Sequence, residues 1–181
     1  GRGDRVLVEL EDAPAAASVD RAQREFRATA ACGVCGKGRL EDLDQPFPPI
    51  RQVECPTELL DVLPDRMRPH QALFAVTGGI HAAGLFTLSG ELLWVREDIG
   101  RHNAVDKVIG RAVLQGATSL EDRILVVSGR AGFELVQKAL KAAIPIMVSV
   151  GAASSLAIDM AAAAGMMLYS FVGDRRGNLH I

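Results

Sequence analysis

The 181 residues predict an α/β fold, a mixed sheet carrying helices on both faces, and three observations predict it. From Ile124 onward short apolar runs alternate with helical ones, the pattern of parallel strands buried on both sides. Ahead of them two apolar runs flank Ser89-Gly90, the pattern of a hairpin. The composition is 49% hydrophobic, yet its only aromatics are Trp94, Tyr169 and six Phe. The core must therefore rest on Ala, Val, Leu, Ile and Met, which suits closely packed helices.

The elements follow in order. Val6, Val8 and Leu10 alternate in a short strand-like run before an Ala-rich stretch that ends near Phe26. Residues 37–51 mix Pro46, Pro48 and Pro49 with few periodic apolar residues and read as an exposed, mobile connection. The chain accordingly divides into an N-terminal strand and cysteine loop, 1–55, and an α/β core, 56–181. Pro56 fits the first turn of a helix through Leu63, and a second helix runs from Pro64 towards Phe74 until Gly78-Gly79 breaks it. Strands over 82–88 and 92–97 make the hairpin. In the helix that follows, Ala104, Val105, Val108, Ile109, Ala112 and Val113 share one face, while Asn103, Asp106 and Lys107 lie towards the other. Strand 124–127, helix 133–143, strand 145–150, helix 154–164 and strand 166–171 complete the pattern.

Twenty basic against twenty-two acidic residues leave a net charge of -2, which excludes non-specific attraction to nucleic acid or an acidic membrane. Three cysteines cannot form a disulfide framework for a domain this size, so the expected compartment is a reducing one, the cytoplasm. The uncharged stretch 142–158 is punctuated by Pro145, Gly151 and Ser154-Ser155, so a strand, loop and helix explain it better than a membrane span. No targeting signal is readable in the first residues. Arg2-Gly3-Asp4 spells an adhesion tripeptide of the kind that arises by chance.

Chemistry is concentrated in five places. Cys32-Gly33-Val34-Cys35 sets two thiols among glycines that present them openly, and Arg27 or Lys37 nearby would favour a thiolate able to attack a persulfide. A structural zinc site would need two further ligands, and a disulfide oxidoreductase would want a strand-then-helix context. His81 follows a glycine turn, but Ala83 stands where a zinc deaminase would carry its general acid/base Glu, so His81 reads as a structural histidine before a catalyst. Glu97 to Lys107 pack acid, base, imidazole and amide at one strand-to-helix corner, with Asp98 as a helix cap and Arg101, His102 and Asn103 marking a site or interface. The turns Ser128-Gly129-Arg130-Ala131-Gly132 and Val150-Gly151-Ala152-Ala153-Ser154 place backbone N–H groups at helix starts, where anions are favoured. Finally, Arg175 and Arg176 follow the last strand and suit phosphate or guanine recognition, or else form a solvated tail.

Taken together, Cys32-Gly33-Val34-Cys35-Gly36-Lys37, Thr77-Gly78-Gly79-Ile80-His81-Ala82-Ala83, the run Glu97 to Lys107 and Ser128-Gly129-Arg130 resemble, in order and spacing, the formate dehydrogenase accessory sulfurtransferase family, FdhD. The likeness covers about residues 24 to 178. It implies a three-layer α/β/α fold with a mixed sheet, cytidine-deaminase-like but without the zinc site, acting as a homodimer. It also implies a persulfide carrier that takes sulfur from a cysteine desulfurase. The sulfur then passes to a molybdenum bis(molybdopterin guanine dinucleotide) cofactor destined for formate dehydrogenase, with no structural metal. Cys32 matches the persulfide-forming cysteine and Cys35 its companion, while Phe171, Val172, Gly173, Asp174, Arg175 and Arg176 match the cofactor-binding stretch. The chain departs from the family pattern at Gly173, where an arginine is expected, at His180, where a tyrosine is common, and at Ala30-Ala31, which replace serines. The family's N-terminal segment is also expected to be missing, as in a truncated or divergent member. A competing reading is a chaperone that holds the cofactor but transfers nothing.

Overall fold

Leu60, Leu63 and Met67 recur at helical spacing, and helix α1 (Thr57–Met67) buries all three. The structure, a computed structural model, describes residues 50–174 and 176–180, which belong to the unit Gln45–Ile181. The sequence predicts a break at Pro64, but α1 runs through it. Proline removes the N–H that would bond to the Leu60 carbonyl. The buried face spans that defect, so tertiary packing holds the turn that local propensity disfavours. A 3₁₀ turn over Arg68–His70 follows, then a short helix α2 (Ala72–Thr77). As expected, Gly78 ends it in the left-handed region at φ 64°, donating its N–H to the Phe74 carbonyl at 2.8 Å.

Strands β1 (His81–Thr87) and β2 (Leu92–Asp98) form the predicted antiparallel hairpin, with Gly90 at φ 81° in the turn. Helix α3 (Arg101–Leu114) buries Ala104, Val105, Val108 and Ala112. Val113, expected on that face, is 59% exposed. Ala112 beside it is fully buried, so the last turn keeps its packed face and Val113 stands at the flank, lining an open groove of about 330 Å³ with Ile109 and Lys138. Then come β3 (Arg123–Val127), α4 (Phe133–Lys141), β4 (Ile146–Ser149), α5 (Ser155–Ala164) and β5 (Met167–Gly173), each within a few residues of its predicted bounds. A final strand, β6 (Arg176–His180), was not expected; the sequence there reads as a tail. The chain turns back at Asp174, φ 50°, and pairs antiparallel with β5.

The sheet runs β2-β1-β3-β4-β5-β6, with β3, β4 and β5 parallel and the outer pairs antiparallel. Because side chains alternate along a strand, Phe86, Ile124, Val126, Ile146 and Val148 reach one face and join Leu60, Leu63 and Met67 in a single cluster. Tyr169 belongs to it too, donating to Asp61 Oδ1 at 2.6 Å and so tying β5 to α1. Helices α3, α4 and α5 cover the opposite face, since the right-handed crossovers between parallel strands put their helices on one side. This is the expected α/β/α sandwich with a mixed sheet. Residues 142–158 form β4, a loop and the start of α5, and among the described residues no helix is long and apolar enough to cross a membrane.

Strand β2 closes one end of the sheet. The Ala82 carbonyl accepts from Ser128 N–H, so Ala82 points towards β3 and its neighbours His81 and Ala83 point towards β2. Their partners Asp98 and Arg96 point back, which turns the carbonyls of Val95 and Glu97 outward. Both are occupied: Arg96 Nη1 donates to Val95 O at 2.7 Å, and Lys107 Nζ to Glu97 O at 3.1 Å.

Candidate functional site

Where the three parallel strands end, residues from their ends and from the start of the antiparallel β1 meet in a row. Gly151 N–H donates to Gly129 O at 2.9 Å, Phe171 N–H donates to Gly151 O at 3.1 Å, and His81 lies against Gly129 from β1. A side chain at Gly129 would put its Cβ 3.2 Å from His81 Nδ1, and one at Gly151 would meet the Arg130 backbone at 2.9 Å. Both glycines are therefore close-approach positions.

The two small-residue turns sit on adjacent strands, as expected, and some of their N–H groups are taken up by each other. Ala131 N–H donates to Ala152 O and Ser154 N–H to Ala131 O, each at 3.0 Å, closing a parallel bridge between Ala131 and Ala153. At the start of α5, Ser154 Oγ accepts from Ala157 N–H at 3.3 Å. At the start of α4 the Glu134 carboxylate folds back over Gly132. Loop packing thus takes up the Ala131, Gly151 and Ser154 donors of the expected backbone anion site, and a carboxylate lies over the start of α4.

The corner around α3 is sorted in the same way. Glu97 Oε2 and Oε1 accept from Leu73 and Phe74 N–H at 2.9 and 2.8 Å, so this acid caps α2. Asp98 Oδ1 accepts from Gly100 N–H and Asn103 Nδ2 at 2.9 and 3.0 Å, while Oδ2 pairs with Lys107. Asp98 thus braces the turn into α3 without capping it, contrary to expectation: the amide it binds is that of the N-cap Gly100 itself, and no side chain caps the first-turn N–H groups. Its bond to Lys107, followed by the Gly100 and Asn103 donors, pulls its carboxyl down to about 2. Asp106 pairs with Lys138 of α4. His102 Nε2 lies 3.9 Å from Glu134 Oε2, but burial, with help from Arg101, pushes its imidazole down, so the ring is largely neutral near pH 7.

At the other end of the row, Phe171 is 61% exposed and holds φ 60°. A bulky residue in the left-handed region is uncommon, and here it falls where the β5–β6 register shifts between Ser170 and Gly173, an irregularity that leaves the ring in solvent. With Arg176, Gly177 and Asn178 it lines an open cavity of about 320 Å³. Of the predicted cofactor stretch, Val172 is buried in the core, Gly173 and Asp174 form the exposed turn, and Phe171 and Arg176 face the cavity. Arg175 lies outside the described residues, as do Cys32, Cys35, Arg27 and Lys37. Cys55 is half-buried among core side chains, and burial pushes its thiol up, the reverse of an activated nucleophile. Sequence reasoning missed Glu134, whose place in the first turn after Gly132 was the available signal.

A family model described as the FdhD/NarQ family matches residues 2–180. The chain is 53% identical over 157 residues to the sulfur carrier protein FdhD of Corynebacterium efficiens, covering 86% of this chain and 56% of that one. It is 44% identical over 182 residues to the protein of the same name from Streptomyces avermitilis, covering 96% and 64%. The chain thus spans about three-fifths of the length of these curated relatives. Among solved structures, a formate dehydrogenase accessory protein from Desulfotalea psychrophila superposes with a TM-score of 0.69 at 30% identity, covering 78% of this chain and 60% of that one.

Proposed function

The chain belongs to the FdhD/NarQ family, and from that premise we propose that it is a sulfur carrier that loads persulfide on Cys32 and passes the sulfur to a guanine-dinucleotide molybdenum cofactor. Its relatives' name as sulfur carriers supports the first half. The observation that supports the second is Phe171, an exposed aromatic held in the left-handed backbone region beside Arg176 at the mouth of a cavity. A flat apolar face next to a guanidinium with no ion-pair partner among the described residues suits a purine base carrying phosphate. At about 320 Å³ the cavity is at the lower end of ligand pockets, enough for one end of such a cofactor.

In this reading Cys32 thiolate attacks the sulfane sulfur of a persulfide on a cysteine desulfurase, whose own thiolate leaves, and the sulfur stays on Cys32 until the cofactor takes it. Cys35 guards or releases it. The carrier acts in the cytoplasm as a homodimer, with formate dehydrogenase receiving the sulfurated cofactor.

The test is to mix the protein with a cysteine desulfurase and cysteine, alkylate the products and map sulfur by peptide mass spectrometry. Persulfide is expected on Cys32 and absent in Cys32→Ala, which should also fail to support formate dehydrogenase. A Cys32→Ala protein that still supports the enzyme would replace the carrier by a cofactor chaperone.

A further inference from the structure

Three basic side chains at the sheet's carboxyl edge lack the anion that their neighbours have. Arg101 and His81 converge on Gly129: a Cβ there would lie 3.2 Å from His81 Nδ1 and 3.8 Å from Arg101 Cδ. Arg130 follows the same glycine, is exposed, and lies over Gly151, where a Cβ would come 2.9 Å from its Cγ. None of the three side chains makes a hydrogen bond or ion pair with the described residues, and Arg101 Nε is buried without a partner. The corner is not short of acids. Glu97 is spent on the α2 amides and Asp98 on Gly100, Asn103 and Lys107, while Glu134 lies over its own helix start facing His102. A buried guanidinium nitrogen with no acceptor is costly unless a ligand supplies one.

We propose that His81 and Arg101 against Gly129, with Arg130 over the adjoining Gly151, form a subsite for a phosphate-class oxyanion, separate from the Phe171 cavity. The close packing of His81 on Gly129 fixes the imidazole beside the arginine, and the planar guanidinium matches two oxygens of a phosphate at once. Gly129 and Phe171 are joined through Gly151 across β3, β4 and β5, two strand spacings or roughly 10 Å. That span suits a nucleoside diphosphate lying along the edge with its base at Phe171 and its terminal phosphate at Arg101. This orientation rests on the cofactor reading above; the oxyanion subsite does not.

The test is calorimetric titration of the whole chain with GDP, guanosine and inorganic pyrophosphate. Arg101→Gln and His81→Gln are compared with the parent and with Phe171→Ala, and thermal unfolding confirms that each variant is folded. Arg101→Gln should weaken pyrophosphate and GDP by about tenfold or more while leaving guanosine unchanged, and Arg101→Lys should restore part of the loss. Pyrophosphate and GDP affinities unchanged in both Arg101→Gln and His81→Gln would overturn the subsite, and a GDP affinity still lost in Phe171→Ala would leave the cofactor reading intact. Conversely, pyrophosphate binding that needs Arg101, with no guanosine binding and no effect of Phe171→Ala, would keep the subsite for a free anion and sink the cofactor reading.

Discussion

Asp98 shows how one side chain serves the fold beside a functional edge. Its carboxylate gathers the Gly100 amide, the Asn103 amide group and the Lys107 ammonium, and its titration falls to about 2, against roughly 3.9 for a free aspartate. Between those values the unfolded chain binds a proton that the folded chain refuses, so folding loses stability as the medium is acidified. The stabilisation is complete above pH ~4 and fades as pH falls through about 2. Asp98→Asn should therefore be less stable than the parent at neutral pH, and denaturant unfolding at a series of pH values should show the gap closing below pH ~4. A gap that stays constant down to pH ~2 would assign the effect to geometry rather than charge.

Helix α1 is where sequence and structure part most clearly. Pro64 deprives the Leu60 carbonyl of a donor in mid-helix, yet the element persists because Leu60, Leu63 and Met67 bury the same face on either side of it. Pro64→Ala should restore the bond and raise stability by roughly 1–3 kcal/mol, the gain being trimmed by the freer unfolded chain, as chemical denaturation would measure. The strands β3, β4 and β5 were legible because each is a continuous apolar run, and α2 and the hairpin ended where Gly78 and Gly90 allowed. Strand β6 was not, since Gly177 and Asn178 interrupt any alternation and its pairing depends on a turn made by Asp174 at positive φ. At the candidate site, Phe171 and Arg176, marked by the family resemblance, line one cavity, whereas Val172 of the same stretch is buried. The wiring of the site was not legible, because the sharing of N–H groups between the turns after β3 and β4 arises only when those strands lie side by side.

At the scale of the molecule, a six-stranded sheet must end somewhere, and an open end is a template for another strand. At β2 the outward carbonyls of Val95 and Glu97 are already held by Arg96 and Lys107. Replacing both cations, Arg96→Ala with Lys107→Ala, should free that edge, and light scattering across a concentration series should find assemblies larger than the parent's. No change in size would mean that strand twist alone protects the end.

The row from His81 through Gly129 and Gly151 to Phe171 draws one residue from each of four neighbouring strands. An oxyanion or nucleotide seated there has no meaning for the unfolded chain, in which these residues are far apart. Its binding free energy is therefore added to the cohesion of the sheet as a whole, by about 2.7 kcal/mol when the free ligand stands at a hundred times its dissociation constant. The melting temperature then becomes a reading of occupancy, and the protein without such a ligand should be the more easily unfolded and degraded form.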